Sequence, residues 1–283
     1  MKKFDVFLSR CKICNSDRIF KYHQASDGSQ IYKCGDCKIQ FLNPQYSDEF
    51  LLQFYAGYTR DQSSFDETLF KSHSECLLYL EKFKPSKGLL FDIGSGNGHL
   101  IQKAKERGWI PTGYDIDFDT VKEISRKTGV RMLCGEFEKI EHKKEEYDAV
   151  TMLHVFEHLK DPVQYLRIIH SVLKPEGILF IALPNIHSRS ALFKLFLEKT
   201  GIKKKNIADY YDTQHHLWYY TPDTIRYILE KYGFEIKFIY SRSFPVIRKS
   251  KIMKTISEKY LSNFFWTSNM VVIAEKINLT LKT

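Results

Sequence analysis

The sequence predicts an α/β fold: a mostly parallel sheet with helices on both faces, and a small cysteine-rich module in front of it. Two observations carry this expectation. From residue 88 to residue 240, short β-like apolar runs alternate with helical patterns, and strands that alternate with helices pack as a covered parallel sheet. Ahead of them, four of the six cysteines fall within the first 45 residues as two C-x2-C pairs.

The elements follow in order. Residues 46–87 read as helical, with Phe50, Leu51 and Phe54, and then Cys76, Leu77, Leu80 and Phe83, recurring at helical spacing. Gly88 to Asp92 is the first strand of the main domain, and the helix after it stops at Gly108. Ile110 to Asp115 is the second strand. Asp117 caps a helix that carries Val121 and Ile124. Val130 to Cys134 and Asp148 to Leu153 are the third and fourth strands. Asp161-Pro162 opens a helix as N-cap and first-turn proline, and Val163, Leu166, Ile169 and Val172 form its inner face. Gly177 to Leu183 is the fifth strand. Thr221-Pro222 repeats the cap signal for a helix ending at Gly233, and Phe234 to Tyr240 is the sixth strand. Met270 to Ala274 is a last strand-like run.

Composition narrows the class. The chain has 283 residues, 43% hydrophobic and 27% charged, as expected of a globular protein with one full domain and an appendage. No segment reaches the roughly 20 apolar residues that span a bilayer. The N-terminal Met1 to Lys12 has no signal-peptide core, so a cytoplasmic location is expected. The formal charge of +9 concentrates in Lys203, Lys204 and Lys205 and in Arg248, Lys249, Lys251 and Lys254. Solvated faces explain such clusters in the first instance; an anionic partner, a diphosphate or a membrane surface, is the functional alternative.

The chemistry centres on Phe91-Asp-Ile-Gly-Ser-Gly-Asn-Gly98, between the first main-domain strand and its helix. Gly94, Gly96 and Gly98 let the backbone turn sharply and approach a ligand, and the helix aims its N-terminal N–H groups there. Asp115 ends the next strand, 23 residues after Asp92, where a carboxylate accepts hydrogen bonds from ribose hydroxyls. The spacing is G-x-G-x-G, and Asp92 suits a cationic amino-acid end better than a pyrophosphate.

On these residues the chain resembles the class I S-adenosylmethionine-dependent methyltransferases over about residues 86–240. Asp92 to Gly98 matches their first motif, Asp115 their ribose acid, and Gly135-Glu136 the adenine side, although Asp is commoner there. Tyr147 to His158 matches their fourth strand and its loop, and Leu173-Lys-Pro-Glu-Gly177 the turn before the fifth. The resemblance implies a Rossmann-like seven-stranded sheet with Met270 to Ala274 as its antiparallel last strand. It also implies S-adenosylmethionine as cofactor, held by Asp92, Gly94, Ser95, Gly96, Gly98, Asp115, Ile116 and Glu136. His154 would be a pocket wall and Tyr58 a cover.

Cys11-Lys-Ile-Cys14 and Cys34-Gly-Asp-Cys37, 19 residues apart, form a structural zinc signature, since each pair presents two sulfurs on one side of a tight turn. A hairpin of Ile19 to His23 and Ile31 to Lys33 would join them around Ser26 to Ser29. A module this small needs the Zn2+ to fold. Disulfides are disfavoured in a cytoplasmic chain. Cys76 and Cys134 read as plain buried thiols. The domain division is therefore 1–45, zinc-ribbon module; 46–87, helical pre-domain or cap; 88–283, methyltransferase domain with a basic C-terminal segment.

A zinc module before such a domain resembles methyltransferases of small molecules, and the first reading of the acceptor is a nucleotide-activated or lipid-linked sugar or glycan intermediate. Base methylation of ribosomal or transfer RNA and ubiquinone-type O-methylation are the alternatives, and a binding adaptor without turnover is the non-enzyme one. An intact glycine loop with Asp92 and Asp115 stands against the adaptor. Histidine suits proton removal near neutral pH. His158, His215 and Glu157 are the catalytic candidates, and because neighbouring residues point differently, only one of His215 and His216 is expected to face the acceptor.

Overall fold

The computed structural model describes residues 3–5, 7–25, 27–56, 67–200, 210–242 and 269–278. Tyr58 and both basic clusters, 203–205 and 248–254, lie outside the described residues. The N-terminal strands are β1 (Ile19–Gln24), β2 (Gln30–Cys34) and β3 (Gln40–Leu42), followed by helices α1 (Asp48–Tyr55) and α2 (Glu67–Phe83). The main domain runs β4 (Leu89–Ile93), α3 (His99–Glu106), β5 (Ile110–Tyr114), α4 (Phe118–Thr128), β6 (Arg131–Leu133), β7 (Tyr147–Leu153), α5 (Pro162–Val172), β8 (Leu173–Pro184) and α6 (Arg189–Lys199). It closes with β9 (Trp218–Tyr219), α7 (Pro222–Lys231), β10 (Phe234–Arg242) and β11 (Asn269–Lys276).

The main sheet has seven strands in the order β10-β11-β8-β7-β4-β5-β6. β8, β7, β4, β5 and β6 are parallel, and β11 inserts antiparallel between β10 and β8. This is the Rossmann-like sheet that the sequence implies. Its inner strands β4, β7, β8 and β11 are largely buried on both faces, as crossover helices require, while the edge strands β6 and β10 expose one side. One core contains Phe91, Val150, Ile181 and the α5 face, and the other contains Leu90, Ala149, Phe180 and α2.

The caps are those read from the sequence. Asp117 accepts from Thr120 N, Asp161 from Gln164 N, and Thr221 and Thr224 form a reciprocal capping box. Two readings change. β8 begins at Leu173 rather than Gly177, and Glu176 adopts φ +60° inside the expected turn. The pairing of β7 with β8 carries an irregularity that absorbs that turn within the strand. Cys134 is not fully buried: its thiol is half-exposed against the Ile116 carbonyl at 3.6 Å.

The N-terminal hairpin does not stand alone. β3 pairs antiparallel with β9, a two-residue strand from the connection between α6 and α7, completing a four-stranded sheet β1-β2-β3-β9. Leu42 N donates to Leu217 O at 2.9 Å, Tyr46 Oη donates to Thr213 O, and Thr213 Oγ1 donates to Asp27 at 2.8 Å. Trp218, 1% exposed, packs on Phe41 and donates Nε1–H to Leu159 O at 2.7 Å. The module is too small to bury its apolar side chains by itself, and it shares one core cluster with the main domain. Trp218→Ala should therefore destabilise the protein by about 3–5 kcal/mol through the cavity left behind, read as a lowered midpoint in denaturant. An unchanged midpoint would show that the sheet extension contributes nothing to the fold.

Candidate active site

A cavity of about 970 Å3 opens at the carboxyl ends of β4, β5 and β7, where parallel α/β sheets place their ligands. β4 delivers Asp92 and turns at Gly94, whose φ of +76° and whose contact with Val155 leave no room for a Cβ. Asp92, Gly94, Ser95, Gly96, Asp115, Ile116, Glu136 and His154 all line the cavity. Gly98 does not: it caps α3 at φ +75°, behind the loop, with Ile124 packed where its Cβ would stand.

Electrostatics distinguishes the two acids. Asp92 is buried, accepts from Thr151 Oγ1 at 2.7 Å, and has its pKa pushed up by burial to about 6. Burial also raises Asp115, although its two oxygens accept from Gly96 N at 2.9 Å and Asp117 N at 3.1 Å. Each of its oxygens has a second lone pair left for a ligand. Glu136 sits at the rim, paired with Lys139 at 2.8 Å.

The far end of the cavity is a histidine cluster. β7 ends at His154, held at φ +55° with its N–H donating to Ala182 O at 2.8 Å. A single turn of 3-10 helix, Phe156–His158, follows. There Glu157 is 1% exposed, with His154 Nδ1 at 3.4 Å and His158 Nε2 at 3.7 Å. Burial pushes the Glu157 carboxyl up, but the His158 and His154 imidazoles outweigh it and hold it at about 2. His158 is pushed down to about 4 by burial, so its imidazole is neutral at pH 7. Across the cavity, the loop before β9 brings His215 and His216. Both line the cavity, which corrects the expectation that only one would. The bend into β9 turns the two rings at 69° to each other, each 4.8 Å from His158.

Several lining residues carry no sequence signal. Leu51, Leu52 and Tyr55 of α1 face the cavity, as do Tyr114, Phe137 and Tyr165. Only the helical spacing within α1 hints at the first group, and nothing local marks the ring cluster. Among the described lining residues the cations are Lys139, tied to Glu136, and Lys160, tied to Asp5 at 2.7 Å and Asp48 at 2.8 Å.

The second cluster is Cys11, Cys14, Cys34 and Cys37, whose sulfurs all lie within 4.8 Å of one another. Cys11–Cys37 at 3.6 Å and Cys14–Cys34 at 3.5 Å are far beyond a disulfide bond of about 2.05 Å. They approach the roughly 3.8 Å separation of thiolates arranged tetrahedrally on Zn2+, so the donor set fits that ion.

A family model described as a methyltransferase domain matches residues 65–237. The ubiquinone biosynthesis O-methyltransferase of Dinoroseobacter shibae is 24% identical over 230 residues, covering 78% of this chain and 79% of that protein. The mitochondrial one of Arabidopsis thaliana is 26% identical over 194 residues, covering 63% and 57%, and that of Saccharophagus degradans 30% identical over 120 residues, covering 40% and 50%. The match thus spans only about half the length of the last two relatives. Among solved structures, a chain of the complex between the Haloferax volcanii Trm112 methyltransferase activator and a methyltransferase superposes with TM-score 0.56 at 13% identity, covering 82% of this chain and 98% of that one. A SAM dependent methyltransferase from Archaeoglobus fulgidus superposes with TM-score 0.50 at 23% identity, covering 72% and 93%. These two likenesses concern the fold.

The Thr151 hydroxyl is the hydrogen-bond donor that opposes the burial of Asp92. Thr151→Val should raise the Asp92 pKa above about 6, read from its carboxyl carbon shift by NMR. An unmoved titration would contradict the assigned hydrogen bond.

Proposed function

The chain belongs to the methyltransferase-domain family and is an S-adenosylmethionine-dependent methyltransferase, and from that premise we propose that it methylates a hydroxyl of a small-molecule acceptor seated against His158 and His215. One observation carries this reading: the glycine loop with its two acids and the histidine cluster line the same cavity. Asp92 takes the cofactor's ammonium, Asp115 the ribose hydroxyls, Ile116 and Glu136 the adenine side, and His154 the wall between cofactor and acceptor. Transfer from a sulfonium is an in-line displacement, so the protein mainly aligns the oxygen and removes its proton. His158 and His215 are the bases, and the negative charge of Glu157 favours the imidazolium that forms on either.

Of the acceptors considered from sequence, the described lining favours one with an apolar portion and no diphosphate at the reacting end. Leu51, Leu52, Leu153 and Leu159 line that end, and both lining lysines are already paired. A lipid-linked sugar fits this better than a nucleotide-activated one. A phenolic acceptor is the second reading, favoured by the activity named for the ubiquinone biosynthesis O-methyltransferases. The bases of RNA fit least, since no unpaired cations line the mouth among the described residues.

Zn2+ is the ion we assign to Cys11, Cys14, Cys34 and Cys37, in a structural role. No helix among the described residues is long and apolar enough to cross a membrane. We place the chain in the cytoplasm on the reading of its four clustered cysteines as zinc ligands instead of disulfides.

Three outcomes are expected. With S-adenosylmethionine labelled at the methyl group, the chain should transfer label into a lipid-extractable fraction, and His158→Ala should lower kcat at least about a hundredfold with cofactor affinity nearly unchanged; label appearing only in RNA would overturn the acceptor reading. Cofactor affinity should also depend on pH. Below about pH 6 the buried Asp92 is protonated in the free protein, so the ammonium must displace a proton, and Kd should rise by up to about tenfold per pH unit as pH falls. Calorimetry across pH 5 to 8 reads this, and the same slope in Asp92→Asn would remove Asp92 from the contact. Metal analysis of protein purified without chelator should find Zn2+ bound, with that equivalent lost in Cys34→Ser; a Zn2+-free wild-type chain with an ordered hairpin would exclude the structural ion.

A further inference from the structure

The histidine cluster holds more nitrogen than one proton transfer uses. One ring nitrogen from each of His158, His215 and His216 lies within 4.8 Å of the others. These imidazoles come from two segments 57 residues apart, the turn after β7 and the loop before β9. His158 Nδ1 contacts the His215 carbonyl oxygen at 3.1 Å. A carbonyl only accepts, so Nδ1 carries the hydrogen and Nε2 presents a lone pair. That lone pair faces Glu157 Oε1 at 3.7 Å. Two acceptors thus meet in the interior, where Glu157 is 1% exposed and His154 Nδ1 stands 3.4 Å from the same oxygen. A buried carboxylate facing a lone pair, with one neutral donor beside it, is costly, and a cation between the two acceptors would relieve that cost.

We propose that His158, His215 and His216, with Glu157 beside them, form a second metal site that binds a first-row divalent cation at the acceptor end of the cavity. Three imidazoles and one carboxylate are borderline donors that suit Zn2+, Co2+ or Fe2+; Mg2+ prefers oxygen ligands. Metal–nitrogen bonds of about 2.0–2.1 Å place cis donors roughly 3 Å apart, so the rings need to close by about 1–2 Å on a bound ion. His154 Nδ1, at 3.4 Å from the same carboxylate, acts as its outer hydrogen-bond donor and orients it. A bound cation would acidify an acceptor hydroxyl by coordination, leaving the imidazoles as ligands instead of bases. The inference rests on the reading that the acceptor meets this cluster.

The test counts metal on the full chain loaded with one equivalent of Zn2+, which the four thiolates hold in preference to the imidazoles, and uses Co2+ as the probe. Wild type should take up one further Co2+ per chain, with a visible d–d spectrum free of sulfur-to-cobalt charge transfer. His216→Ala and, separately, the closer His215→Asn should lose that ion while S-adenosylmethionine affinity and the Zn2+ content stay unchanged. Equal Co2+ uptake in wild type and both variants, or none in wild type, would overturn the site and leave a cluster of neutral or protonated imidazoles. The readout is independent of turnover. A second ion without methyl transfer to any small molecule sinks the acceptor reading alone, and histidine-dependent transfer without a second ion sinks the metal site alone.

Discussion

The pairing of β3 with β9 is the constraint on which the histidine end of the cavity, the proposed acceptor end, depends. β9 is two residues long and has no other strand partner among the described residues, and an isolated pair of residues does not hold an extended conformation by itself. It is held because Phe41 and Gln40 present a sheet edge, Trp218 fills the space beneath, and Leu217 N donates to Glu157 O at 2.9 Å. His215 and His216 immediately precede this strand. Their position opposite His158 is therefore set by the N-terminal hairpin, and the hairpin is closed by its four cysteines.

The two halves of the cavity are built by different means. The cofactor half belongs to the parallel sheet, where β4, β5 and β7 end at one level and a glycine turn lets a ligand approach the backbone. The acceptor half is assembled from three sources: α1, the turn after β7, and the loop bearing β9. The first half is rigid through strand pairing, with Asp92 and Asp115 both raised by burial. The second depends on long-range contacts such as Tyr46 to Thr213 and Trp218 to Leu159. Substitutions far from the reacting atoms, in the hairpin, should consequently be felt at the acceptor before they are felt at the cofactor.

The same division separates what was legible in the sequence from what was not. The main sheet could be read because each strand is an apolar run bounded by a local signal: Asp117, Asp161-Pro162 and Thr221-Pro222 announce their helices through hydrogen bonds to residues two or three positions away. The cysteine pairs were legible because a chelating turn is also local. β9 was not, since two residues have no period and the pairing is decided by an edge almost 180 residues earlier. The joint approach of His215 and His216 to the cavity depends on the bend into that strand. Gly98 matched the motif, yet its backbone serves the helix cap and the packing of Ile124.

The central claim is that the cysteine-bound hairpin holds the acceptor loop and not the cofactor loop. Backbone hydrogen exchange, measured on the metal-bound and the chelator-stripped chain, tests it most directly. Stripping should speed exchange at Leu42, Leu217 and Tyr219 while the amides of β4 and β5 stay protected and S-adenosylmethionine still binds. Unchanged protection at Leu217 and Tyr219 after loss of the metal, or equal loss of protection in β4, would contradict it.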